Sequence, residues 1–311
     1  MDMTTDRPSF LACPDCRSAL VPEGSTVACS GCGSAFPAGP GGFLDFGATA
    51  GGAAETSERL EAYAEHQEGS AERRVRDFLS PYARSVGARR LLDAGCGVGS
   101  VPAALTEAGL DAYGVDLPKA APFWERAGRD PGRFFVADAT RLPFADGSFD
   151  LVLSMGVIEH IGTLTGHCTL APDFRARRQA YARELTRVAS GRLLVSCPNK
   201  LFPVDLHHGP GDAATPPGRV RGGISRRLGV NVHRTWGDYH LLSLREVRDL
   251  FLAAGARQVS PLPAAGFFSF DGVRGGRLAG VAGPARAWVE RMPPAARGSF
   301  LDPFVLAEVL V

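Results

Sequence analysis

Seven cysteines occur in the 311 residues, and four of them are spaced for metal chemistry. Cys13 and Cys16 lie in CPDC, Cys29 and Cys32 in CSGCG, so the pattern is C-x2-C-x12-C-x2-C. Each C-x2-C turn points two sulfurs at one centre, and Gly31 and Gly33 relieve the backbone at the second turn. Two such turns give a closed tetrahedral thiolate site, the usual structural zinc geometry, with no open position for catalysis. Two disulfides or unligated core thiols are the alternatives, and a reducing compartment favours the metal. A module of roughly 45 residues has too little core to fold unaided, so zinc would supply the missing stability. On that reading, loss of one cysteine unfolds the N-terminal module and leaves the rest largely intact.

A second group of residues suits a nucleotide-like ligand. In LLDAGCGVGS, residues 91–100, a short apolar strand runs into a glycine-rich turn, and residues 101–109 then read as helix. Glycines let the backbone pass close to a ligand and adopt conformations barred to other residues. A second strand, 112–115, ends in Asp116, at the distance where an acid can take both ribose hydroxyls. A third, 134–137, ends in Asp138, and a fourth, 149–154, follows the turn Ala145-Asp146-Gly147-Ser148. Dehydrogenase use of such a turn is disfavoured, because Ser100 stands where G-x-G-x-x-G needs its last glycine.

Residues 88–200 resemble class I methyltransferases of the type 11 group that includes ubiquinone-pathway enzymes. The matching segments are LLDAGCGVGS, YGVDLP, FVADATRLPFADGSFDLVLS, GVIEHI and GRLLVSCPN. The resemblance implies an α/β fold: a Rossmann-like, doubly wound, mostly parallel sheet, with the small zinc ribbon before it and C-terminal lid insertions. It implies S-adenosylmethionine as cofactor, with Gly95, Gly97 and Gly99 lining its methionine part. Asp116 would hold the ribose, Asp138 would meet the adenine amino group, and Leu117 and Ala139 would flank the ring. Asp93, Cys96 and Ser154 complete the expected cofactor set. Residues 10–46 resemble Trm112-like zinc ribbons through the four cysteines and the apolar run from Phe36-Pro37 to Gly42-Phe43-Leu44-Asp45-Phe46. Some relatives carry Glu-x-x-Glu-His and bind a divalent ion. Here Gly156 replaces the first glutamate, so a carboxylate ligand is lost and a catalytic metal is not expected.

A sulfonium-bound methyl is already activated, so the protein mainly aligns nucleophile, methyl and sulfur and excludes water. A weak nucleophile also needs a base, and histidine is the natural candidate near neutrality. His160, with Glu159, lies just beyond the fourth strand; the alternative is that both only tie the following loop to the domain.

The elements that position these groups divide as follows. Residues 1–46 are the ribbon, 47–86 a linker and N-terminal helices, and 87–311 the methyltransferase domain, with lid insertions at 200–240 and 266–298. Leu60, Tyr63, Val75, Phe78, Leu79 and Tyr82 recur at helical intervals, with a break expected at Gly69-Ser70 and a bend at Pro81. Residues 198–240 form a long irregular connection. It holds His207, His208, His233 and His240, and Arg219, Arg221, Arg226, Arg227 and Arg234 beside Trp236 and Tyr239. These read as a lid whose arginines meet an acidic or phosphorylated substrate, or as a solvated loop. His207, His233, Trp236, Tyr239, His240 and Phe267 are the candidate substrate contacts. Residues 243–254 read as a helix with Val247, Leu250 and Phe251 on its apolar stripe, and 301–311 as a last strand.

The formal net charge of +1 argues against a strongly nucleic-acid-binding surface. No apolar run approaches the roughly 18 residues of a membrane span, and no targeting segment is visible, so the expected place is the cytoplasm, without a membrane. The expected activity is methyl transfer to an oxygen or nitrogen of a small molecule or a biosynthetic peptide. An RNA base methyltransferase that uses its ribbon for recognition is the alternative. Arg17 is the ribbon segment's single basic residue, against Asp15 and Glu23, which is poor electrostatics for phosphate. A non-catalytic cofactor-binding scaffold is the third reading. The oligomeric state is not legible.

Overall fold

The computed structural model describes residues 8–47, 61, 68–164, 169–205, 216–228, 231–267 and 279–311. The strands of its main sheet are β4 (Leu44–Asp45), β5 (Arg90–Ala94), β6 (Asp111–Asp116), β7 (Phe134–Val136), β8 (Phe149–Met155), β9 (Ala189–Pro198), β12 (Gln258–Pro261) and β13 (Phe304–Leu310). They lie in the order β12-β13-β9-β8-β5-β6-β7-β4. Pairing is parallel from β4 to β9, and β13 runs antiparallel to both β9 and β12. Thus β13 is the one reversed strand of the sheet.

Strands buried on both faces explain the near-continuous apolar runs. Leu91, Leu151, Leu153 and Leu194 join one apolar cluster, whereas Leu92, Val152, Leu193 and Val195 join the cluster on the other face. The first face is covered by α2 (Ser100–Glu107) and by the helical run that ends in α1 (Ser80–Ser85). The second is covered by α4 (Phe174–Val188) and α6 (Leu244–Ala253). Between β6 and β7 stands α3 (Ala121–Arg126), whose Trp124 is fully buried.

The helix expected to break at Gly69-Ser70 does not: helical residues run unbroken from 68 to 85. Ala71, Val75, Leu79 and Ala83 form a buried stripe against the sheet. That burial outweighs the ~1 kcal/mol a helical glycine costs. A π-helical turn, Val75–Leu79, precedes Pro81 and absorbs the irregularity that proline's missing N–H imposes. Leu60 and Tyr63 lie outside the described residues. The expected helix at 243–254 is α6, opened by a capping box in which Ser243 and Glu246 bond each other's backbone N–H.

The ribbon is built on β1 (Leu20–Glu23), β2 (Thr26–Cys29) and β3 (Ala35–Pro37), an antiparallel three-stranded sheet. It is not a separate body. Through Leu44↔Phe135 and Asp45↔Val136 its tail strand β4 adds the edge of the main sheet next to β7. Cys13, Val27, Cys29 and Phe36 belong to the same apolar cluster as β5, β6 and β8. Ion pairs fasten the seam: Arg17 Nη2 lies 2.7 Å from Glu184 Oε1 and its Nη1 donates to the Leu142 carbonyl at 3.0 Å. Arg141 pairs with Asp15.

Candidate functional site

The chain leaves β5 for β6 on one side and returns to β8 on the other, so the strand order reverses between β5 and β8. Open α/β sheets bind ligands in the crevice outside the carboxyl ends at such a point. The glycine turn closes that crevice from one side and the loop after β8 from the other. They touch closely: a Cβ on Gly95 would stand 2.4 Å from Val157. Gly95, Gly97 and Gly99 have φ of 94°, 55° and 79°, the left-handed region that side chains avoid. Gly99 caps α2, and a Cβ there would stand 2.6 Å from Phe134.

The acids frame this turn. Asp116 Oδ2 accepts from Gly97 N at 2.6 Å and Oδ1 from Leu117 N at 2.7 Å, which fixes the carboxylate between the turn and the end of β6. Burial raises its pKa. Asp138 lies two residues beyond β7, with Oδ1 accepting from the backbone N–H and the hydroxyl of Thr140. Asp93 is 3% exposed, and its Oδ1 has no hydrogen-bond partner. Burial, reinforced by the charge of Asp116 and opposed by Arg74, raises the Asp93 carboxyl to about 7. A buried carboxylate oxygen without a partner beside a glycine cradle fits a ligand with a positively charged amino or sulfonium group.

Other expected cofactor residues are placed differently. Cys96 is buried, packed under Gly114, and its thiol is pushed well above its usual pKa by burial. Leu117 and Ala139 are partly exposed beside the two acids. The Ser154 side chain is fully buried and hydrogen-bonded at 2.7 Å to Tyr181 of α4, so its hydroxyl serves the helix–sheet contact.

His160 is partly exposed in the loop after β8, its backbone N donating to the Val157 carbonyl and its carbonyl accepting from the Thr163 hydroxyl. Glu159 is 2% exposed. Its charge is felt by Arg178 and Tyr181 of α4 and by Cys197 of β9. That placement suits the loop-tying role for Glu159.

The lid segments follow β9 and β12, whose carboxyl ends lie at the same edge as the crevice. Here β10 (Val204–Asp205) pairs with β11 (Asn231–Val232). Tyr239 stacks on His233 with centroids 5.3 Å apart and packs against His240 at 4.4 Å. His233 Nδ1 meets the Arg234 carbonyl, while its buried Nε2 has no hydrogen-bond partner. His240 is fully enclosed, and its carbonyl accepts from Arg178. Trp236 instead is 66% exposed. His233, Tyr239 and His240 therefore come together, whereas Trp236 presents most of its surface to solvent. His207 and His208 lie outside the described residues. Phe267 docks on the helical run before α1, edge-on to Phe78 and under Arg74, which also bonds its carbonyl.

Two supporting residues carry no motif. Trp124 donates from Nε1 to the Gly97 carbonyl at 2.8 Å and packs edge-on against Phe43 of the ribbon tail. Arg74, on the N-terminal helix, lowers the Asp93 pKa through its charge. No local spacing announces either, since each acts across the fold.

In the ribbon the four cysteine sulfurs all lie within 4.8 Å of one another. Cys29 Sγ accepts from Gly31 N and Cys32 N at 3.3 and 3.4 Å. The donor set fits a tetrahedral soft-metal site.

A family model described as a methyltransferase domain matches residues 92–191. An uncharacterized methyltransferase of Mycobacterium sp. (strain KMS) is 41% identical over 75 residues, 24% of this chain and 30% of that protein. A demethylmenaquinone methyltransferase of Beutenbergia cavernae is 40% identical over 77 residues, 24% of this chain and 32% of that protein. The chain thus spans about a third of these relatives' lengths. A solved S-adenosylmethionine-dependent methyltransferase from Archaeoglobus fulgidus aligns over 80% of this chain and 99% of its own, with 18% identity and a TM-score of 0.43. Residues 92–191 are thus similar to a methyltransferase domain, and they lie on a Rossmann-like, mostly parallel sheet.

Proposed function

We propose that the chain transfers a methyl group from S-adenosylmethionine to an oxygen or nitrogen of a small-molecule or peptide biosynthetic intermediate. The observation that carries the cofactor half is the unpartnered buried oxygen of Asp93 beside the Gly95–Gly97–Gly99 cradle. When bound, the cofactor supplies a methyl activated on a sulfonium. The chain's own residues orient and enclose it: Asp116 would hold the ribose, Asp138 the adenine amino group, and Asp93 the cationic end. Leu117 and Ala139 would flank the ring. His160 is the candidate base, at the crevice rim. His233, Tyr239 and His240 would line the acceptor side of the lid, with Trp236 and Phe267 at its margins.

The ribbon's chemistry supports a structural zinc held by Cys13, Cys16, Cys29 and Cys32. Its orientation weighs against RNA recognition, since Arg17 is committed to Glu184 and Leu142 rather than to solvent phosphate. A tritiated-methyl assay over metabolite, peptide and RNA fractions tests the reading. Label in the metabolite or peptide fraction supports it, label in RNA shifts it to the alternative, and label in none favours a binding scaffold.

A further inference from the structure

The lid contains a helix turned against its own composition. In α5 (Pro216–Leu228) the buried positions are Gly218, Gly222 and Ser225, on the side that packs against β11, where Val232 N donates to Ser225 Oγ at 2.9 Å. Among the side chains of α5 whose burial is described, the aliphatic ones point outward instead: Val220 is 65% and Ile224 44% exposed, one turn apart on one face. Arg219, Arg226 and Arg227 are exposed around them, and the helix has no acidic residue. A helix that packs by its small residues and presents Val, Ile and Arg has its binding face outside.

Further large side chains are exposed in the lid and at the carboxyl edge of the sheet from which it rises. Among the described residues the exposed large aromatics are Trp236, Trp288 and Phe300. Trp236 lies four residues beyond β11. Phe300 and Leu301 precede β13, whose first residue pairs with the last of β9, and Asn199 grips the Ser299 and Asp302 carbonyls. Trp288, on α7 (Ala279–Arg291), donates to the Leu301 carbonyl at 2.9 Å. Each group therefore sits at or beside the carboxyl edge of the sheet, where the crevice opens.

We propose that this edge docks on an anionic lipid surface, with Val220 and Ile224 entering the headgroup boundary and the α5 arginines meeting lipid phosphates. Aliphatic and tryptophan side chains interleaved with arginine suit that interface. A nucleic acid would use the arginines and leave the aliphatic face in water, so the mixture favours lipid. Such docking would run against the expectation of no membrane, drawn from the missing spans. No helix among the described residues is long and apolar enough to cross a membrane, so the contact is peripheral. Under the proposed methyl transfer, on which this part rests, docking would set the acceptor crevice against the bilayer and favour an amphiphilic acceptor.

Co-sedimentation of the full chain with vesicles tests the proposal without any need for turnover. Phosphatidylglycerol–phosphatidylcholine vesicles are compared with phosphatidylcholine alone, for the parent chain, Val220→Glu/Ile224→Glu and Arg226→Glu/Arg227→Glu. S-adenosylhomocysteine binding by each variant serves as the control for folding and for the cofactor reading. Binding to the anionic vesicles that falls at least about tenfold in both variants, with cofactor binding intact, is the expected result. Equal binding by the variants, no binding to either vesicle, retention on RNA in place of vesicles, or a dimer that the first variant dissociates would each overturn it.

Discussion

Replacing Asp93 by asparagine should move ligand-free stability and cofactor affinity in opposite directions. The carboxyl is 3% exposed with one oxygen unpartnered, and burial followed by the Asp116 charge raises it to about 7. Its folded pKa lies above the unfolded value, so its stabilising contribution is present at low pH and lost as pH rises through about 7. Above that point the ligand-free protein holds an uncompensated charge. An unsatisfied buried group costs about 1–3 kcal/mol. Asparagine removes the charge but brings an amide with its own needs, leaving a net gain of about 1 kcal/mol at alkaline pH. Binding should suffer, because a charge-assisted bond worth about 1.5–3 kcal/mol is lost, about 10- to 150-fold in Kd. For the parent chain a cation at Asp93 favours the ionised form, so binding releases a proton below about pH 7 and affinity rises with pH to a plateau. Denaturant unfolding without ligand and calorimetry with S-adenosylhomocysteine, in buffers of differing ionisation enthalpy, read all three effects. An asparagine variant that is less stable at alkaline pH, or that binds as tightly as the parent, would refute the reasoning.

Other substitutions probe how the site is supported. Protein purified without added metal should hold one zinc per chain by elemental analysis; because the ribbon shares the sheet's core, Cys13→Ser should lower the unfolding midpoint of the whole chain rather than melt a separate module. Trp124→Phe removes the donor to the Gly97 carbonyl, and should cost about 1–2 kcal/mol in urea unfolding while weakening S-adenosylhomocysteine binding in calorimetry. Glu184→Ala removes the carboxylate that Arg17, Arg187 and the Leu142 N–H share at the ribbon seam, leaves that buried N–H unpaired, and should cost about 1–3 kcal/mol in the same unfolding assay.

Local chemistry was legible in the sequence and long-range support was not. Glycines forced by positive φ, acids at strand ends and paired C-x2-C turns each announce themselves within a few residues. So did the capped helix α6, whose Ser243 and Glu246 are three positions apart. The unbroken helix through Gly69 was hidden, because its stability comes from a stripe buried against a sheet formed later in the chain. The union of ribbon and sheet was hidden too: β4 is two residues long, and its partner Phe135 lies far along the chain. Trp124 and Arg74 act through tertiary contacts that no spacing encodes. The lid, read as a long irregular connection over 198–240, instead holds the β10–β11 pair and the helix α5, whose packing through Gly218, Gly222 and Ser225 no apolar periodicity announces.

Calorimetric titration of the full chain with S-adenosylhomocysteine tests the central claim most directly. One site per chain with at least micromolar affinity is expected, weakened by roughly 1.5–3 kcal/mol in Asp116→Ala as hydrogen bonds to a charged group are lost. Tight binding of a nicotinamide dinucleotide with no heat from S-adenosylhomocysteine or S-adenosylmethionine would contradict it.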